Sequence, residues 1–175
     1  MLTGTVCRFV CAVMIIIFGC LAGNSLATDN AKTLTLTKAL SQVKLFADLS
    51  NTERDALKTV ATLRQGKARE RIIRQGKISG KMFIILEGDA EVQINGKFFV
   101  TLTGQPLVGE IEFLNELPAT ADVLLRKETN LIELDNAALT SLMEKQPRLG
   151  YVLMREIAKI EAQRLSKTST KKEKK

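Results

Sequence analysis

Glycines at positions 76, 80, 88, 96, 104 and 109 divide residues 72–134 into short runs rich in β-branched and aromatic side chains. Glycine at such intervals marks the turns between short strands of a sandwich or barrel. Within the region, Glu91, Gln93 and Asn95 alternate with Val92 and Ile94, the period of a strand with one buried face. Asn95-Gly96 is the residue pair favoured in two-residue hairpins, where both central residues take positive φ.

Helical signals flank this region. Ser50 and Glu53 stand at the spacing of a capping box, opening a helix that carries Leu57 and Val60. Beyond the strands, Asp135 or Asn136 opens a helix with Leu139, Leu142 and Met143, and Pro147 restarts a second. In that second helix Leu149, Leu153, Ile157 and Ile160 recur at helical spacing as an apolar stripe. Helices outside and strands in the middle make the fold class α+β, in one domain large enough for a complete core.

Residues 9–23 form an apolar run preceded by Arg8 and followed by Ser25-Leu26-Ala27. A basic start, a short hydrophobic centre and small residues at −3 and −1 describe a secretory signal peptide cut after Ala27. An uncleaved membrane anchor is the alternative, although the run is short for a bilayer span; a lipoprotein signal around Cys20 is a third reading. Export to the periplasm or medium, or attachment to a membrane, is therefore expected. All three cysteines (Cys7, Cys11 and Cys20) fall in or before that run, so residues 28–175 contain no thiol and no disulfide.

The chain has no histidine. A Ser-His-Asp triad is thereby excluded, and a zinc site or histidine-ligated metal centre is disfavoured. No catalytic constellation is found, so the expectation is a non-enzyme without a metal or cofactor. Net charge is +7, and residues 164–175 alone supply six basic groups against Glu173. The body is thus near neutral. Residues 166–175, without apolar side chains, are expected to be a disordered basic tail. No aromatic is interleaved with these lysines, so stacking on nucleic-acid bases has no support. The sequence offers no helix-turn-helix after residue 165, and DNA binding is not expected.

Residues 108–123 carry the chemistry. Gly109 permits positive φ and close approach of main chain to a ligand. Glu110 after it is an acceptor for a sugar hydroxyl, and Pro118 stiffens the following turn. The small residues Thr120 and Ala121 leave room for backbone N–H groups to point at an anion. The reading of Glu110 and Glu112 as an acid–base pair is set against a blander one, a capped turn and a solvated strand residue.

The order of these residues resembles the phosphate-binding cassette of the cyclic-nucleotide-binding domain family: Gly109, Glu110, Pro118, Thr120, Ala121 and Val123 fall where that pattern wants them. The resemblance spans roughly residues 43–165. It includes Leu45-Phe46-Ala47-Asp48-Leu49-Ser50, the strand and turn from Arg71 to Gly76, the hairpin of Met82 to Gly88 and Ala90 to Ile94, and Leu102-Thr103-Gly104.

It implies an eight-stranded jelly roll (a double-stranded β-helix) with flanking amino- and carboxyl-terminal helices, the last acting as lid or dimer contact. It also implies a ligand, cAMP or cGMP, held by Gly109, Glu110, position 119, Thr120 and Ala121. The family's phosphate arginine, however, is Ala119 here. A guanidinium is the side chain best fitted to a phosphate diester. Glu112, where the family has a small neutral residue, is expected to repel an anion. Arg126 is the nearest downstream cation that could substitute.

Two functions follow. One is a regulatory or interaction module with weak or lost nucleotide binding, exported or membrane-tethered, with a partner protein or second copy on its last helix. The other is a working sensor of cAMP, cGMP or a related phosphate ligand. The domain limits read as 1–27 for the signal peptide or anchor, 28–165 for the domain and 166–175 for the tail.

Overall fold

The computed structural model describes residues 34–172. The expected signal peptide or anchor, residues 1–27, lies outside the described residues. Among those described, no helix is long and apolar enough to cross a membrane.

Helix α1 (Leu36–Gln42) is capped by Thr35, and a 3-10 turn (Lys44–Phe46) leads to α2 (Asn51–Leu57). The capping box of α2 is formed as expected: Glu53 N–H donates to Ser50 Oγ at 3.2 Å, and Ser50 N–H to Glu53 Oε2 at 2.8 Å. The helix stops short of Val60. Its last N–H groups, at Lys58, Thr59 and Val60, each bond three residues back and tighten the turn. Ala61 then begins a strand that the sequence reading had not placed.

Eight strands follow: β1 (Ala61–Gly66), β2 (Arg71–Ile73), β3 (Lys81–Ile85), β4 (Ala90–Ile94), β5 (Lys97–Leu102), β6 (Leu107–Val108), β7 (Asp122–Leu125) and β8 (Thr129–Asp135). They make two antiparallel four-stranded sheets, ordered β1-β8-β3-β6 and β2-β7-β4-β5. Consecutive strands alternate between sheets only in part, and the crossovers give the jelly roll that the resemblance implied. Asn95 (φ 53°) and Gly96 (φ 72°) form the hairpin turn between β4 and β5.

Strands β3 and β8 carry buried apolar residues on both faces, which explains the apolar run Met82–Ile85 of β3 and the pair Leu131-Ile132 in β8. Phe83, Ile85 and Leu131 face Ile73, Val108, Val123 and Leu125 between the sheets. Met82, Ile84, Ile132 and Leu134 instead join Phe46, Leu57, Leu139 and Leu149 in a second core under the helices.

Helix α3 (Glu110–Asn115) interrupts the strands after β6, and α4 (Asn136–Lys145) follows β8. Asp135 caps α4, accepting from Ala138 N–H at 2.8 Å. The last helix, α5, runs Pro147–Lys172. Its stripe is spent on the chain's own core: Leu149, Leu153 and Ile157 are buried and Ile160 packs beside them. A dimer or partner contact through that stripe is therefore not on offer, and any partner of α5 meets its other face. The backbone stays helical to Lys172, through residues expected to be disordered. Lysine is a good helix former, and neither Gly nor Pro lies within residues 166–172.

Candidate ligand-binding site

Strand β6 pairs with β3, Val108 opposite Phe83, and thereby delivers Gly109 to the seam between the sheets. Gly109 has φ 90° and opens α3. A Cβ there would lie 2.6 Å from the Lys81 carbonyl oxygen, so only glycine allows this approach. Six residues of helix follow where the sequence suggested a turn and strand.

A cavity of about 220 Å³ opens beside this segment. All five of the expected site residues line it: Gly109, Glu110, Ala119, Thr120 and Ala121. Most of its wall is apolar, supplied by all four strands of the β2-β7-β4-β5 sheet together with Val108 and Ile111. The sequence had not identified the one cation among its described lining residues, Arg164 of α5.

The Glu110 side chain is only 4% exposed. Its Oε1 accepts from Arg164 Nη1, and Arg164 also donates to the Leu107 carbonyl and, at 2.8 Å, to Glu161 Oε1. Glu110 Oε2 is buried with no hydrogen-bond partner among the described residues. Burial pushes the Glu110 carboxyl above its ordinary value of 4.5, and the Arg164 guanidinium opposes that rise without cancelling it.

Ala119 is buried, its methyl beside Ile73 and Val123 in the core between the sheets. Its N–H donates to Lys77 O at 3.0 Å and its carbonyl accepts from Gly76 N–H at 2.7 Å. The loop is thus pinned to the β2–β3 turn. Asp122 reinforces it by accepting from Gln75 N–H at 2.9 Å. Thr120 is exposed and Ala121 half-buried. Neither N–H is taken by a protein acceptor among the described residues.

Two expectations require correction. Glu112 is neither solvated nor in a strand. It is 5% exposed, and its carboxylate accepts from Ser79 N–H at 2.9 Å, from Ser79 Oγ at 3.1 Å and from Gly80 N–H at 2.6 Å. It is a brace between α3 and the turn before β3, so its charge is compensated by main-chain donors. Arg126 is exposed, with its N–H on Asp89 O at 3.1 Å, and does not line the cavity. The cation that does line the cavity is Arg164, which the sequence reading had counted only in the basic run of residues 164–175. The available signal was spacing, since residue 164 lies one turn beyond Ile160 on the buried side of α5.

Residues 63–146 match the family model described as Cyclic nucleotide-binding domain. The chain is 32% identical over 121 residues to the cAMP-dependent protein kinase regulatory subunit of Schizosaccharomyces pombe, covering 62% of this chain and 28% of that protein. It is 30% identical over 125 residues to that of Mycosarcoma maydis, covering 66% and 24%. The chain therefore spans about a quarter of the length of these two curated relatives. Among solved structures, a cyclic nucleotide-binding domain from Methylobacillus flagellatus superposes with a TM-score of 0.67 at 19% identity, over 78% of this chain and 79% of that one. With its jelly roll, its Gly109-Glu110 helix start and this match, residues 63–146 are a domain of the cyclic nucleotide-binding family.

Proposed function

We propose that this domain is a non-enzymatic regulatory or interaction module in which cyclic-nucleotide binding is weak or lost. The observation that carries the reading is Ala119. At the position of the family's phosphate arginine, a methyl is buried in the core and both main-chain polar groups are engaged by Gly76 and Lys77. The arginine at the cavity, Arg164, lies between two carboxylates, Glu110 and Glu161. Its charge is already neutralised. Losing a charge-assisted hydrogen bond to phosphate costs about 1.5–3 kcal/mol, or roughly ten- to a hundredfold in affinity.

We place the domain in the periplasm or outside the cell, or tethered to a membrane, because of Arg8, the apolar run of residues 9–23 and the small residues before position 28. Export supports loss of a messenger-binding role, cyclic nucleotides being chiefly intracellular in the family's known settings. Fractionation of expressing cells, with protease added to intact spheroplasts, tests this part. Protection from protease in the cytosolic fraction would refute it.

The second reading, a working sensor of cAMP or cGMP, is favoured by one observation: the N–H groups of Thr120 and Ala121 remain untaken beside an intact Gly109-Glu110 helix start. Ala119→Arg decides how far the site has decayed. If only the side chain is missing, the variant should gain about tenfold or more in cAMP affinity. No gain, with the variant folded, would mean that the loop geometry has also changed use.

A further inference from the structure

Three loops meet at one end of the β2-β7-β4-β5 sheet, where β2 and β4 finish and β5 and β7 begin. Gln75, in the turn between β2 and β3, exchanges two hydrogen bonds with Asn95 at the tip of the β4–β5 hairpin. Gln75 Nε2 donates to Asn95 Oδ1 at 3.1 Å, and Asn95 N–H donates to Gln75 Oε1 at 2.7 Å. The same turn holds Ala119, in the loop between α3 and β7, through Gly76 and Lys77. The three loops therefore present one connected surface.

That surface is apolar where it meets solvent. Ile78, Phe98, Phe99 and Leu117 are each 60–68% exposed, and none belongs to either core. Single exposed apolar side chains are ordinary, but four on adjoining loops form a patch of the kind that marks a contact surface. Charge decides what it contacts. Arg74, Lys77 and Lys97 stand exposed on the same loops, and none forms an ion pair among the described residues. Of the nearby carboxylates, Asp122 accepts from Gln75 N–H and faces Arg71 at 3.7 Å, and Glu112 is held by Ser79 and Gly80. Glu116 is left as the exposed acid of these loops.

We propose that this end of the domain docks onto an anionic lipid surface. Ile78, Phe98, Phe99 and Leu117 enter the boundary between headgroups and acyl chains, while Arg74, Lys77 and Lys97 reach headgroup phosphates. A second copy of the same surface would set like charges against one another, which disfavours self-association. The proposal goes beyond the nucleotide question and does not depend on the amino-terminal apolar run.

The test reads the surface itself, so that attachment through residues 9–23 cannot imitate it. The full chain, methyl-labelled at isoleucine and leucine, is mixed with lipid nanodiscs that carry a nitroxide-labelled lipid. The nanodiscs are of phosphatidylcholine alone or of phosphatidylcholine with phosphatidylglycerol. With phosphatidylglycerol, the methyls of Ile78 and Leu117 should broaden, while those of Leu165, exposed on α5, should not. Without it, the contact constant read from that broadening should fall about tenfold or more, each cation contributing roughly fivefold. Lys77→Glu combined with Lys97→Glu should have a similar effect, and Phe98→Ser should weaken contact about tenfold. All three side chains are exposed, so the fold tolerates these changes.

If Ile78 and Leu117 stay sharp on the mixed nanodisc, the proposal is overturned, whether or not the chain associates through other residues. Broadening confined to Leu165 would assign the contact to the basic run, and broadening indifferent to headgroup charge would remove the cations from it. Either result overturns the proposal. Shifts at Ile78 and Leu117 that grow with protein concentration in the absence of lipid would give the surface to a second copy instead.

Discussion

Arg164 of the last helix donates to Glu110 at the first turn of α3, joining two residues 54 apart across the mouth of the cavity. The contact ties α5 to the Gly109-Glu110 segment that the resemblance assigned to a ligand. It does so with the carboxylate that the resemblance assigned to a sugar hydroxyl. Replacing Arg164 with alanine leaves Glu110 buried and unpaired. We expect a loss of about 2 kcal/mol at neutral pH, less than the ~3–5 kcal/mol of a fully buried pair because Arg164 is 29% exposed. Urea denaturation of the two proteins measures it, and an unchanged midpoint would show that the pair does not hold the helix.

Glu110 should also leave a signature in the pH dependence of stability. Its carboxyl is raised in the folded state, chiefly by burial. Its contribution is therefore present in full below the ordinary value of 4.5 and is lost as pH rises through the higher folded value. Glu110→Gln removes this loss. The stability of the variant relative to the parent should increase with pH above 4.5 and then level off. A difference that stays flat across that range would contradict the assignment.

Other carboxylates act in the opposite sense. A hydrogen bond from Arg148 leads the causes that hold Glu53 below its ordinary value. Burial pushes Glu133 up, but hydrogen bonds from Lys81 and Arg64 outweigh it and leave it lowered. Their stabilisation is present above pH 4.5 and disappears as pH falls through the folded values. Thermal melts from pH 6 down to about 3 should show the acid loss. Glu133→Gln should flatten it, and an equally steep loss in that variant would remove Glu133 from the account.

Gly109 and Gly76 provide a matched pair. Both have positive φ, but alanine at Gly109 would also place a Cβ 2.6 Å from Lys81 O, whereas nothing lies within 4 Å of Gly76. Gly76→Ala should cost about 1–2 kcal/mol from left-handed backbone alone. Gly109→Ala should cost more, since main chain must shift. Equal losses in calorimetric melts would mean that the close approach is not a constraint.

Glu112→Ala tests the brace. It strips acceptors from Ser79 and Gly80 N–H groups and should destabilise the domain by about 1–3 kcal/mol. It should not create anion binding. A folded, undiminished variant that gains cAMP affinity would restore the earlier view of Glu112 as a repelling charge.

The sequence showed most of the strands because their signals are local: Asn95-Gly96 for the hairpin and the alternation around Val92. Capping at Ser50 and Asp135 was equally visible, being set by residues three apart. Strand β1 was missed because helix α2 and the strand share an unbroken stretch from Leu57 to Leu63, with no Gly or Pro between them. Helix α3 escaped notice because it has a single turn and a half and takes its direction from Gly109. The partners of Glu112 and Glu110 lie 33 and 54 residues away, on a turn and on the last helix, and no local pattern announces either. The alanine at 119 was legible at once, whereas the engagement of its main chain by Gly76 and Lys77 needed the fold.

Calorimetric titration of the protein with cAMP and with cGMP tests the central claim most directly. With Ala119 in place of the phosphate arginine and Arg164 engaged by Glu110 and Glu161, the account predicts no detectable heat up to about millimolar nucleotide from protein shown to be folded. Saturable binding at micromolar concentration would contradict it, and would make the N–H groups of Thr120 and Ala121, with Glu110, a sufficient site.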